Sequence, residues 1–137
     1  VGSIELDEHR ARNLEAVRGA FAAIAVGDAA LQLTHYTDDL VLELPYASPP
    51  KRIDGKAAAL SFLGGALGAF ALELTIVDVH AGLDPDELIV EFSGTGTHRP
   101  TGSAYANRYI AVFRFRDGLI ARQREYYNPA ASPTGGT

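Results

Sequence analysis

Apolar residues first recur at spacings of three and four and later, from Leu72 onward, at spacings of two. That order, helices first and strands last, predicts an α+β domain with about three helices packed on one face of a curved, mainly antiparallel sheet. The turn signals Leu83-Asp84-Pro85-Asp86, Arg99-Pro100-Thr101-Gly102 and Asp117-Gly118 divide the late segment into strands. At 137 residues, with 47% hydrophobic and 21% charged residues, the chain has material for one core and a modest internal pocket.

Leu14, Val17, Phe21 and Ile24 mark one face of a helix from about Asp7 to Val26, with Asp7 as N-cap and Gly27 in a left-handed terminating turn. Asp28 caps a short second helix, Ala29 to His35. Leu40 to Leu44 reads as a strand closed by Pro45, and a loop holding Pro49, Pro50, Lys51 and Arg52 follows. Asp54 is expected to open a third helix that buries Leu60, Leu63 and Leu67 and is weakened by Gly64, Gly65 and Gly68. Strands are expected at Leu72–Ala81, Glu87–His98, Tyr105–Arg116 and Leu119–Tyr127. One domain is assigned to residues 1–129, and residues 130–137 to a flexible C-terminal tail.

Composition narrows the function. Lys plus Arg number 12 against 17 Asp plus Glu, a net charge of −5 that argues against a nucleic-acid partner. The absence of cysteine excludes thiolate metal sites and thiol nucleophiles. No apolar run reaches the ~20 residues of a spanning helix, so no membrane partner is expected; the expected location is cytoplasmic. His9, His35 and His80 are scattered, without a ligand pattern, and neither a metal nor a cofactor is expected. Phosphate-loop, dinucleotide and nucleophile-elbow motifs are missing.

The last hairpin sorts its residues by face. Tyr105, Asn107, Tyr109, Ala111, Phe113 and Phe115 share one parity; Arg108, Ile110, Val112, Arg114 and Arg116 share the other. A two-residue Asp117-Gly118 turn would set Phe113 opposite Arg122. A three-residue turn with Gly118 as bulge residue instead sets Phe113 opposite Ala121, Tyr109 opposite Glu125 and Asn107 opposite Tyr127. The second arrangement gathers the arginines on one face and the aromatics on the other, and is preferred. It projects Glu125 onto an aromatic face. It also leaves Arg108, Ile110, Val112, Ile120, Arg122 and Arg124 as a convex surface expected to pair with a second copy of the chain, the alternative being a wet surface covered by arginine stems.

The stretches AAIAVGD, YTDDLVLELP, IDGKAA and YANRYIAVFRFRDGLIARQREYYNP resemble the nuclear transport factor 2-like superfamily, the fold of ketosteroid isomerase, over nearly the whole chain. The look is nearest to the SnoaL-like polyketide cyclases and the phenazine-biosynthesis A/B proteins. The resemblance implies a cone-shaped α+β barrel with a pocket between the concave sheet and the helices, and a homodimer through the convex face. Carried over residue by residue, the isomerase's general base falls at Leu44 and its oxyanion-hole pair near Ala20 and Ala111. The cyclase aspartate also falls at Ala111, with His98 in the place of an auxiliary histidine. Against limonene epoxide hydrolase, Glu125 matches the last-strand carboxylate, while its Arg and Asp partners fall at Phe92 and Gly94. The last-strand glutamate of the phenazine proteins also matches Glu125.

A carboxylate on a poorly solvated aromatic face has its charged form disfavoured, which suits Glu125 to general acid/base work near neutral pH. Tyr109 and Asn107 are candidate donors to a substrate carbonyl or enolate. Phe21, Leu44, Tyr46, Phe62, Phe92, Tyr105, Phe113 and Tyr127 are expected to line the ligand site, which would take a small hydrophobic or aromatic compound. The bland alternative is that Glu125 and Asn107 only bridge structural groups. Three functions compete: a cofactor-free isomerase, cyclase or lyase; a non-catalytic ligand-binding or accessory protein with the same pocket; and a dimeric scaffold with a filled cone.

Overall fold

The fold is described from a computed structural model over residues 6–131. Helix α1 (Glu8–Ala25) is opened by Asp7, whose side chain accepts from the Arg10 N–H, and ends at Gly27 with φ +73°. Helix α2 (Ala29–Leu33) is opened by Asp28, which accepts from the Leu31 N–H at 2.9 Å. Replacing Asp28 with Ala should cost about 1 kcal/mol and lower the melting temperature by about 3 °C, read by thermal denaturation. Helix α3 (Lys56–Ala69) starts differently from the expectation. Gly55, at φ +88°, takes the N-cap position with no side-chain cap, and Asp54 ends the strand before it. Leu67 is buried beneath α3, but Leu60 is 45% exposed and contributes nothing to the core.

Six strands form one curved sheet in the order β2-β1-β6-β5-β4-β3. They are β1 (Tyr36–Leu44), β2 (Lys51–Asp54), β3 (Phe70–Ala81), β4 (Glu87–His98), β5 (Ser103–Arg116) and β6 (Leu119–Tyr127). All pairings are antiparallel except β1 with β6. Strand β2 falls inside the segment expected to be loop; it is an edge strand held by pairing with Val41–Leu44. Strand β1 begins four residues earlier than expected. A 3₁₀ turn (Pro129–Ala131) occupies the start of the expected tail, and residues 132–137 lie outside the described residues.

The hairpin between β5 and β6 corrects the turn assignment. Asp117 and Gly118 have φ of 55° and 77°, and Arg116 pairs with Leu119, so the connection is a two-residue turn of the I′ type. Just beyond it, Phe115 pairs with Ile120 but Arg114 pairs with Arg122, which leaves Ala121 as a bulge. That extra residue restores the parity that the three-residue turn would have given. Phe113 therefore faces Gln123, Ala111 faces Glu125, and Tyr109, rather than Asn107, faces Tyr127. Ile120 lies before the bulge and points inward; it is fully buried in the core and does not belong to the convex surface.

The core lies between α1 and the concave face, around Val17, Leu88, Val90, Phe92, Ala111 and Phe113, all 2% exposed or less. The convex face carries five arginines. Arg114 pairs with Asp84 and Glu87 at 3.0 Å each, Arg122 with Glu43 at 2.7 Å, and Arg116 with Asp39. Among the described residues, no carboxylate pairs with Arg108 or Arg124.

Candidate functional site

Between the concave sheet and helices α1–α3 lies a cavity of about 220 Å³. An engineered apolar cavity of roughly 150 Å³ holds a benzene ring, so this volume admits a ligand of one or two rings. Its wall is mainly aliphatic and aromatic, and seven polar side chains interrupt it: Gln32, Tyr36, Tyr105, Tyr109, Gln123, Glu125 and Tyr127. Phe21, Leu44, Phe62, Phe92, Tyr105 and Tyr127, read from the sequence as lining residues, are in the wall. Two others are elsewhere. Phe113 is sealed in the core at 0% exposure, and Tyr46 is 56% exposed, edge-on to Tyr126 at 5.3 Å.

Strand β6 presents Gln123, Glu125 and Tyr127 to the cavity, because residues two apart on a strand share a face. Glu125 stands across from Ala111, which is sealed in the core. Burial pushes the Glu125 carboxyl up to about 7, opposed by one hydrogen bond: the Gln123 amide donates to its Oε1 at 2.9 Å. Gln123 is held in turn by Tyr36, whose hydroxyl donates to the Gln123 Oε1 at 2.5 Å. Burial raises the Tyr36 phenol far above its ordinary value. The neighbouring Gln32 amide acts in the opposite sense and the Glu125 charge in the same sense.

A second polar group lies further along β5. The hydroxyls of Tyr105 and Tyr109 are 2.9 Å apart, and the Asn107 amide donates to Tyr105 at 2.9 Å. The Tyr109 ring stacks on Phe92, with centroids 4.7 Å apart, and Phe92 rests against Phe21 at 4.8 Å. Burial raises Tyr109, as do Tyr105 and the Glu125 charge, so its phenol keeps its proton and can donate. Gly94 makes this placement possible: a β-carbon there would lie 2.9 Å from the Tyr109 ring and 3.2 Å from its hydroxyl. The place where the epoxide hydrolase resemblance called for an aspartate is thus filled by the Tyr109 ring.

Asn107 is not in the cavity wall. Its amide donates to the Asn128 carbonyl at 3.0 Å and its oxygen accepts from the Asn128 and Arg108 N–H groups. It therefore ties β5 to the end of β6 and positions Tyr105, in place of the expected direct contact with substrate. His98 is also outside the wall. It is buried at 8% exposure against Phe70, with centroids 4.9 Å apart, and its Nδ1 is 2.8 Å from the Thr101 hydroxyl. Ala20 and Ala111 are core residues, while Leu44 lines the cavity without a polar group.

Sequence reasoning missed Gln32, Tyr36 and Gln123. Gln123 shares the parity of Glu125 and was open to discovery. Gln32 was also signalled, as the one polar residue among Ala29, Ala30, Leu31 and Leu33. The sequence reading also left His80 without companions, whereas the fold brings Asp78, His80 and Glu91 together. Their donor atoms lie within 4.8 Å of one another, with His80 Nε2 2.6 Å from Glu91 Oε2. A register shift between Ile76 and Asp78 puts Asp78 and His80 on the convex side, opposite the cavity.

The SnoaL-like domain profile matches residues 17–123. The uncharacterised protein YesE of Bacillus subtilis is 37% identical over 97 residues, 69% of this chain and 66% of that protein. A PhzA/B-like protein of Pseudomonas aeruginosa is 35% identical over 91 residues, 65% of this chain and 64% of that protein. The chain thus matches slightly less than two thirds of the length of either. Among solved structures, a Bacillus subtilis protein provisionally assigned as an isomerase is 30% identical, covers 94% of this chain and 95% of its own, and superposes with a TM-score of 0.86. The profile match spans most of the chain and contains the polar groups of the cavity from Gln32 to Gln123. On these grounds the chain belongs to the SnoaL-like domain family.

Proposed function

We propose that the protein is a cofactor-free enzyme that moves a proton on a small, largely apolar carbonyl compound, with Glu125 as the acid/base. The observation that carries the reading is the Glu125 carboxyl, held near 7 in an apolar cavity within electrostatic reach of protonated tyrosines. The ionised carboxylate removes a proton from the carbon next to the carbonyl, and the C–H electron pair moves to the carbonyl oxygen as an enolate. Tyr109 donates its O–H to that oxygen, backed by Tyr105. Glu125, now protonated, returns the proton at a conjugated carbon of the enolate, which gives isomerisation; attack of the enolate carbon on an internal electrophile, whose oxygen takes the proton from Glu125, gives cyclisation; and formation of a C=C bond as a leaving group departs from the neighbouring carbon with its bonding pair and the Glu125 proton gives elimination. The SnoaL-like family membership and the relative assigned as an isomerase support this class of chemistry.

The test is a thermal-shift screen against cyclic ketones, aromatic acids, epoxides and polyketide-like compounds, followed by turnover assays of each hit. A ligand at a hundred times its Kd stabilises by about 2.7 kcal/mol. A shift with product formation that depends on Glu125 supports the reading; a shift with no product by mass spectrometry favours a binding or accessory protein. That second reading is favoured by the apolar residues Ala20, Leu44 and Ala111, which stand where the resemblance places the catalytic groups of ketosteroid isomerase and of the polyketide cyclases.

The convex face is proposed to pair with a second copy of the chain. Its supports are Ile110, Val77 and Tyr46, exposed at 39%, 56% and 56%, together with Arg108 and Arg124. The Arg124 Nε is buried without a partner within the described residues. Sedimentation at micromolar concentration should give a dimer that Ile110→Asp converts to a monomer; a wild-type monomer would reject the pairing.

A further inference from the structure

The two oxygens of the Glu125 carboxyl are not equivalent. Oε1 accepts from the Gln123 amide at 2.9 Å. Among the described residues Oε2 has no hydrogen-bond partner, and it is not one of the buried polar atoms left without one. Glu125 is half-buried in the cavity wall, so Oε2 is the oxygen that a ligand can meet. The other titratable groups of the wall are phenols: Tyr36 from β1, Tyr105 and Tyr109 from β5, and Tyr127 from β6. The parts of the wall from α1, α3, β3 and β4 carry no charged side chain among the described residues. Gln123 therefore donates to the carboxylate without a basic competitor, and it acts against burial by favouring the charged form.

A second link decides which end of the amide Glu125 meets. A glutamine side chain can present either its N–H groups or its carbonyl to a neighbour, by turning about its last bond. Here Tyr36 makes the choice. Its hydroxyl donates to the Gln123 Oε1 at 2.5 Å, and a carbonyl oxygen can only accept. With that end held, the N–H end points at Glu125. Tyr36 and Gln123 are both buried, so the two links are shielded from bulk water. Tyr36 is also backed by Gln32 of α2, whose side chain stands beside the phenol oxygen. The donors run head to tail from β1 to the middle of β6, and the last of them pins the carboxyl against rotation.

We propose that Tyr36 and Gln123 are positioning residues: Tyr36 fixes the direction of the Gln123 amide, and Gln123 holds Oε1 of Glu125 so that Oε2 exchanges the proton with substrate. The catalytic consequence rests on Glu125 being the acid/base proposed above, yet the two readings fail separately. Turnover that survives Glu125→Gln would remove the acid/base role and leave both links standing. A carboxyl indifferent to its two neighbours would remove the links and leave Glu125 as the base.

The experiment follows the carboxyl carbon of Glu125 by carbon-13 NMR between pH 5 and pH 10, in glutamate-labelled protein without ligand. The signal is assigned by its loss in Glu125→Gln. Wild type should titrate at about 7. In Gln123→Met, which keeps the length of the side chain but not the donor, the midpoint should rise by about one pH unit, the effect of one hydrogen bond to a charged acceptor. Gln123→Leu carries the same expectation if the methionine protein does not fold. Tyr36→Phe should raise the midpoint by less, because the released amide can turn its carbonyl to the protonated carboxyl and favour the neutral form. A midpoint unmoved by the Gln123 substitutions would overturn the proposal, as would a Tyr36→Phe protein that titrates like wild type. A midpoint that falls would mean that the substitutions only loosen the cavity and admit water, and would overturn it too.

Discussion

Glu125→Gln should lower turnover of a ketone substrate by about 10²–10⁴-fold while leaving its KM within a few-fold of wild type. The substitution keeps the shape and the hydrogen-bonding reach of the side chain but removes the only cavity-lining carboxylate among the described residues. The steric and apolar contacts that hold the substrate stay in place, so the loss falls on the chemical step. With the carboxyl at about 7, the wild-type rate should rise with pH and level off above that value, because the base form is the reactive one for proton abstraction. Residual turnover of the glutamine variant should lose that inflection. Tyr109→Phe should lower the rate without moving the inflection, because the phenol acts as a donor throughout this range. Full turnover by Glu125→Gln on a confirmed substrate would leave the cavity a binding site without acid/base chemistry.

The sequence made the architecture legible because its local signals were strong. Asp7 and Asp28 stand where helix caps are needed, and β4 alternates along its whole length. Strand β2 was not legible: Lys51-Arg52-Ile53-Asp54 has one apolar side chain, sits beside two prolines and owes its conformation to pairing with β1. The hairpin shows a subtler failure. Parity argued that one extra residue was needed between Arg116 and Glu125, and the turn was the obvious place for it; the chain puts it at Ala121 instead. Everything beyond the bulge, including Glu125, falls on the expected face, and Leu119 and Ile120, between turn and bulge, exchange faces.

The site was half legible for a related reason. Side-chain direction follows from strand period, which located Glu125, Tyr105, Tyr109 and Tyr127. What those side chains bond to depends on partners from other elements. Asn107 shares the parity of Tyr109, but Asn128 captures its amide. Phe113 shares it too, but lies deeper, where the core closes over it. Gln32 and Tyr36 reach the cavity from α2 and from the start of β1, elements whose meeting in its wall no local period announces.

Raising the pH from 4 to 8 should cost the folded protein about 3 kcal/mol of stability through Glu125 alone. The carboxyl shifts from 4.5 to about 7 on folding, because burial disfavours the charge more than the Gln123 amide stabilises it. Below 4.5 both the folded and unfolded states hold the proton and stability is intact. Between 4.5 and 7 the unfolded chain ionises while the folded one does not, so stability falls as pH rises; above 7 the loss is complete. Asp86 has the opposite sign. It is held below the usual carboxylate range, first by its hydrogen bond with His9 and then by that with Asn13, so its contribution is lost only in acid, below about pH 4. The two windows are separate. Chemical denaturation at pH 5 and pH 8 should therefore show wild type losing stability across the interval, and Glu125→Gln losing much less and exceeding wild type at pH 8. A carboxylate that merely closed one end of the cavity as an ion pair would have its pKa lowered, and its removal would destabilise the protein at pH 8. The sign of that single difference separates a carboxyl poised to exchange a proton with substrate from one fixed in the charged state by its neighbours.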